Sequence, residues 1–266
     1  MSRKIIDSFI FYNELPLLDM RLNELHEHVD YFVLVEMNVS FTGNRKPHHF
    51  LENRERYKRF WDKLIYITDM GKQLPDTNNP WRREYYQRNL IRDAIDLNTI
   101  PDLSEDDIVL VSDVDEIPSP EAIKRTAFEK DKIYFFEQRY FYYNFSSEFP
   151  FKWKGTMGFN YDLLYDVDLN MIRKDRYRDK DERVNYIPDG GWHCSYFGGE
   201  DQIIDKIEQF SHQEYNKPEY KNKETIAKRI RERKDLFARE DLELEFNDEL
   251  CDRNLPKHKN LAYLSN

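Results

Sequence analysis

Cysteine and glycine are scarce in this 266-residue chain, with two of the first, Cys194 and Cys251, and eight of the second. Two thiols without a secretory leader are read as free, and a disulfide-stapled fold is excluded. The opening Met1-Ser2-Arg3-Lys4-Ile5-Ile6-Asp7 has neither the apolar core of a signal peptide nor the length of a membrane span. No later window approaches ~18 uninterrupted apolar residues. The expectation is a soluble, cytoplasmic protein without a transmembrane segment. A basic surface is missing too: 41 Lys and Arg stand against 51 Asp and Glu, a net charge of −10. That balance argues against nucleic acid as a partner, because phosphate contacts need a positive footprint. Internal repeats and Gly/Ser/Pro-rich linkers are absent, so one domain over 1–266 is expected.

What is plentiful is aromatic. Phe, Tyr and Trp make up 15% of the chain, enough for an aromatic core and enough for ring faces that stack on a ligand. Lys4 to Tyr12 reads as a buried strand and Leu15 to Val29 as a helix, with Leu17, Leu18, Leu22 and Leu25 at helical spacing. Tyr31 to Val35 is a second strand ending at Glu36, so a β-α-β unit delivers Asn13, Glu14 and Glu36 to one sheet edge. Ligands bind at that edge in open α/β sheets. Phe50 to Trp61 reads as helix, Leu64 to Ile67 as strand, Trp81 to Leu97 as a polar helix and Ile108 to Val111 as a buried strand. Beyond it come a helix at Glu121 to Phe128, an aromatic strand at Lys132 to Phe145 and irregular β structure from Trp153 to Ile172. A helix from Glu200 to about His212 precedes a charged, helical tail over 216–266. The fold class is α/β, with a mixed β and helical second half.

The chemistry gathers where the fourth strand ends. Asp113-Val114-Asp115 follows Ile108 to Val111 directly and is stopped by Glu116-Ile117-Pro118. Two carboxylates at i and i+2 in a turn can converge on one hard cation. Mg²⁺ and Mn²⁺ take one or two carboxylates plus substrate phosphate oxygens, which neutralises a diphosphate leaving group. His193, in Gly191-Trp192-His193-Cys194-Ser195, is the candidate third ligand or else a histidine hydrogen-bonded beneath a loop. That stretch is too polar and glycine-flanked for an ordinary core strand.

A displacement at a sugar needs a base for the acceptor hydroxyl. Asp201, then Glu200, both opening a helix after Gly198-Gly199, are the candidates, with Asp189 in reserve; helix capping explains the first two equally well. Arg88, with Arg82 and Arg83, is placed to meet a nucleotide diphosphate, although Glu84 shares its helix face at i−4. Lys46 is a weaker phosphate candidate. Trp153 and Trp192 either stack on sugar or pack in the core.

Taken together, Asp7 to Glu14, Tyr31 to Gly43, Trp81 to Asn89, Ile108 to Pro118 and Gly190 to Ser195 resemble glycosyltransferase family 17, which includes the β-1,4-mannosyl-glycoprotein β-1,4-N-acetylglucosaminyltransferases. The resemblance reaches from the N-terminus to about Glu214. It implies a GT-A fold, in which a Rossmann-like mixed sheet is flanked by helices. It also implies a UDP-N-acetylglucosamine donor, Mn²⁺ or Mg²⁺, a glycan acceptor and inversion at the sugar. The family's D-x-D falls on Asp113 and Asp115, its G-W-H on Gly191, Trp192 and His193. Residues 1–118 would then hold the nucleotide and 119–215 the acceptor. The animal enzymes carry an anchor and stem that this sequence does not show, so short members building bacterial or viral surface glycans are the nearer expectation. Two rival readings remain: a nucleotidyltransferase or sugar-nucleotide pyrophosphorylase, and a non-catalytic carbohydrate-binding protein. The first usually has a Gly-rich amino-terminal loop, which Phe11-Tyr12-Asn13-Glu14 is not. The second predicts glycan binding without UDP or metal.

Overall fold

The computed structural model describes residues 3–69, 74–75, 77–96, 99–176, 182–239, 244 and 254–263. Four parallel strands form one side of the sheet: β1 (Ile5–Phe11), β2 (Tyr31–Glu36), β3 (Leu64–Ile67) and β4 (Ile108–Asp113). Two helices cover its faces. On α1 (Leu15–Leu25), Leu18, Leu22 and Leu25 pack on Phe9, Phe11, Phe32 and Leu34. The residues of alternate parity, Ile6, Ile10, Val33 and Val35, point to the opposite face. There they meet Leu90, Ile91, Ala94 and Ile95 of a helix spanning Pro80–Asp96. Period two on the strands and 3.6 on the helices therefore account for both layers. Each fully buried aliphatic side chain contributes about 1.5–3 kcal/mol.

The expected helix from Phe50 to Trp61 divides into α2 (His49–Glu52) and a 3₁₀ segment, Arg54–Phe60. The burial pattern explains the change, because within that segment only Tyr57 and Phe60 are buried and a three-residue spacing matches a 3₁₀ turn. The Pro80–Asp96 helix is α3. After β5 (Glu116–Pro118), α4 (Pro120–Arg125) stops short of Phe128, with the Thr126 hydroxyl donating to the Ala122 carbonyl. β6 (Ile133–Tyr142) and β7 (Trp153–Asn160) pair antiparallel with a register shift between Phe135 and Glu137, so part of the stretch from Trp153 is a defined strand. It is followed by α5 (Leu169–Asp175), capped by Asp168.

The segment expected to be a non-strand loop around His193 is instead the end of the longest strand, β8 (Val184–Ser195). Its glycines permit close backbone approach. A Cβ on Gly191, at φ +128°, would lie 2.2 Å from the Ile117 carbonyl oxygen, and one on Gly190 would press on the Phe136–Glu137 backbone. α6 (Glu200–Gln209) and α7 (Lys223–Glu232) follow. Residues 254–263 return to α1, where Glu24 accepts from the backbone N–H groups of Lys257 and His258. Cys194 is a buried free thiol, while Cys251 lies outside the described residues. No helix among the described residues is long and apolar enough to cross a membrane.

The order across the sheet is β3-β2-β1-β4-β7-β6-β8-β5. β4 and β5 are therefore four positions apart, yet only Val114 and Asp115 join them. Four strand spacings of ~4.8 Å would put them ~19 Å apart in a flat sheet, whereas three residues of chain reach ~11 Å. The sheet must roll, bringing β5 back beside the end of β4. The register then sets Tyr140, His193 and Glu116 in one row across β6, β8 and β5. The mouth of that roll carries the site.

Candidate active site

The turn at residues 113–116 is held from beneath by Arg21 of α1. Its guanidinium forks onto both Asp7 oxygens at 2.8 and 2.5 Å and donates to the Ser112 hydroxyl at 2.7 Å. The remaining nitrogen reaches the carbonyls of Asp113 and Glu116, both at 3.0 Å. Arg21 is fully buried, so these bonds form in a medium that strengthens them. The turn is a fixed platform.

Above it opens a cavity of about 720 Å³, whose lining includes Glu14, Arg88, Asp113, Trp153, His193 and Lys206. Asp113 accepts from Arg88 at 3.0 Å and from Arg173 of α5 at 2.9 Å, and its side chain is 34% exposed toward the cleft. Arg88 also binds Glu84 and Asn170, each at 2.8 Å, so the expected Glu84–Arg88 pair and the cleft-facing role coexist. Glu116 receives two bonds from Arg173, at 2.8 and 2.9 Å, and one from the Trp153 indole at 2.7 Å. Burial by itself raises the pKa of both carboxyls. The Arg173 charge outweighs it, setting Glu116 at about 2 and Asp113 below the usual carboxylate range.

Asp115 accepts from the Lys206 ammonium of α6 at 2.8 Å. The same Oδ2 faces His193 Nε2 at 3.8 Å. Burial opposes the charge on Asp115, but Lys206 and then His193 hold it below the ordinary range. The His193 ring lies flat on Tyr140, with centroids 4.6 Å apart and planes within 5°, and leans on Trp153 at 4.7 Å. Its buried Nδ1 has no hydrogen-bond partner among the described residues.

A family model for glycosyltransferase family 17 matches residues 1–259. The chain belongs to glycosyltransferase family 17. Among its curated relatives are the β-1,4-mannosyl-glycoprotein 4-β-N-acetylglucosaminyltransferases of Rattus norvegicus and Homo sapiens, each 25% identical over 225 residues. That match takes in 74% of this chain but only 40% of the rat protein and 41% of the human one. Among solved structures, the apo form of the glycosyltransferase GlyE from Streptococcus pneumoniae TIGR4 aligns with a TM-score of 0.36 and 13% identity. It covers 70% of this chain and 41% of its own.

In this family 17 chain the cleft brings together Glu14, Arg88, Asp113, Asp115 and His193. Other expected site residues lie elsewhere. Glu36 is spent on structure, accepting from Lys46, the backbone of His49 and Phe50, and the Tyr66 hydroxyl. Lys46 is thereby paired with Glu36 at 2.8 Å. Asn13 donates to Asp205 at 2.8 Å. Asp201 is 77% exposed in an ion pair with Lys223, and neither it nor Glu200 nor the exposed Asp189 lines the cavity. The reason is helical geometry: α6 turns Lys206 inward, and its first turn points to solvent. Arg82 is exposed, and Arg83 clasps the carbonyls of Phe41 and Thr77. Trp192 is a core residue whose indole binds the Asn254 carbonyl.

The sequence reading missed Arg21, Glu116, Arg173 and Lys206. Glu116 adjoins the D-x-D and is visible in retrospect, whereas the three cations lie in helices remote in sequence.

For the divalent cation that the family resemblance implies, no group of three His, Cys, Asp or Glu side chains among the described residues forms a cage. Asp115 and His193 nevertheless present an oxygen and a nitrogen to one space at the cleft. Two protein ligands completed by phosphate oxygens and water is the usual arrangement for Mg²⁺ on a nucleotide. The residues fit such an ion, which Asp115 and His193 would hold.

Proposed function

We propose that this chain is a metal-dependent, inverting glycosyltransferase of the GT-A type. It moves a sugar, N-acetylglucosamine from UDP-N-acetylglucosamine, to a glycan hydroxyl. The observation that carries the reading is the joint placement of Asp113 and Asp115 at the exit of β4, facing one cavity with His193 and three buried or half-buried cations. The parallel half of the sheet ends in that cleft, where nucleotides bind in open α/β sheets. The relatives' names supply the donor sugar and a mannosyl acceptor.

In this reading Asp113, clamped by Arg88 and Arg173, is a fixed acceptor for the nucleotide's ribose and orients the donor. Asp115 and His193 would hold the divalent cation, which when bound supplies Lewis-acid neutralisation of the departing diphosphate. Arg88 and Arg173 add positive potential on the donor side without needing to reorganise during the reaction. Tyr140, Tyr142, Tyr196 and Tyr215 also line the cavity, an aromatic lining suited to a pyranose. The acceptor's proton is not assigned to Asp201 or Glu200, since neither reaches the cleft.

The test is a panel of sugar nucleotides assayed for hydrolysis and transfer with Mn²⁺. UDP-N-acetylglucosamine should turn over fastest, and chelation should abolish turnover. Release of pyrophosphate from UTP and a sugar phosphate would overturn the reading.

A further inference from the structure

Lys206 occupies the Asp115 oxygen that faces His193, the space in which those two residues would hold a cation. Its ammonium lies 2.8 Å from Asp115 Oδ2, and its next acidic neighbour is Glu14 Oε1 at 3.7 Å. The side chain is 23% exposed, touches the main cavity and also lines a smaller one formed with Tyr12, Phe41 and Phe210. It thus has space on either side. Burial disfavours its charge, but Asp115 and then Glu14 more than compensate, and the group stays an ammonium well above the neutral range.

A divalent ion bound by Asp115 sits ~2.1 Å from its oxygen. Such an ion and an ammonium at 2.8 Å from the same oxygen would be two like charges a few ångströms apart in a poorly screened cleft, which is strongly repulsive. Both cannot stay. His193 cannot relieve the conflict, because its Nε2 faces the same Oδ2. Arg88 and Arg173 are anchored elsewhere by Glu84, Asn170 and Glu116, so the flexible Lys206, with one short hydrogen bond and a longer ion pair to Glu14, is the cation able to give way. A lysine released beside an incoming diphosphate finds a new anionic partner there.

Resting on the metal reading above, we propose that Lys206 competes with the divalent cation for Asp115 and, once displaced, becomes a ligand of the donor's diphosphate. Cation and sugar nucleotide would then enter as a couple, each weak alone. The geometry makes Lys206 a gate on metal occupancy as well as a donor-binding group.

Mn²⁺ binding to the donor-free protein, followed by electron paramagnetic resonance, reads the competition without any activity assay. With Lys206→Met, Mn²⁺ should bind at least tenfold more tightly than to wild type. UDP affinity at saturating Mn²⁺, from calorimetry, should weaken at least tenfold. Lys206→Arg keeps the charge and grips a carboxylate with two donors, so it should weaken donor-free Mn²⁺ binding at least threefold. That opposite sign is informative even if the methionine variant folds poorly, with circular dichroism checking both. Mn²⁺ affinity within twofold of wild type in both variants, while wild type still binds Mn²⁺ with UDP, would overturn the competition and leave the metal reading standing. No Mn²⁺ binding by wild type with or without UDP would overturn both.

Discussion

Arg173 and Glu116, 57 positions apart, meet side-on through hydrogen bonds of 2.8 and 2.9 Å. The pair is buried, and Arg173 extends from it to Asp113. Removing one partner leaves an uncompensated interior charge, which costs about 3–5 kcal/mol. Arg173→Met should therefore lower stability by that amount in urea unfolding and misplace Asp113. Arg173→Lys keeps the charge but loses the fork, and should recover part of the stability.

Glu116 also sets an acid limit. Its carboxyl titrates at about 2 in the folded chain against an ordinary 4.5, because Arg173 outweighs the effect of burial. A folded-state pKa lowered in this way contributes stability that is complete above the unfolded value and is lost as pH falls through the folded one. Asp113 and Asp115 are shifted in the same direction. The thermal midpoint of wild type should fall between pH ~4.5 and ~2. Glu116→Gln should start lower at pH 7 and converge on wild type in acid. Parallel curves would refute the assignment.

Asp115→Asn keeps the shape of the side chain and removes its charge. Turnover of the sugar nucleotide with Mn²⁺ should fall by about 10²–10³, the scale for loss of one preorganised electrostatic group. Circular dichroism should show a folded protein. Unchanged metal-dependent turnover would end the assignment of this carboxylate.

Asp201→Asn should leave transfer within about twofold of wild type. Its partner Lys223 is an exposed surface contact, worth about 0–1 kcal/mol, so stability should barely move. A hundredfold loss of kcat with unchanged metal binding would restore this residue as the base and require α6 to turn in the complex.

The first four strands were legible because each is a short apolar run ending in a polar residue, and α1 and α3 because their apolar positions keep helical spacing. The D-x-D was legible for a related reason: the acids follow directly on Ile108 to Val111. β8 was not, since Pro188, Gly190 and Gly191 resemble a loop. Only the closeness of Ile117 and Phe136 explains why glycines belong in that strand. Arg173 and Lys206 were hidden more deeply. Nothing near them in sequence marks them out, and their role arises from the rolled sheet that brings α5 and α6 to the end of β4. Asp201 lies outside the cleft for a local reason: helix phase, not nearness to His193, decides which residue of α6 lines it.

The two outermost strands of the sheet are also its two shortest, β3 with four residues and β5 with three. β5 ends in Pro118, which has no N–H to offer. A neighbouring copy seeking to extend the sheet would find few free donors and acceptors on either margin. The brevity that lets residues 113–116 turn back across the mouth thus also shields the protein from edge-to-edge aggregation.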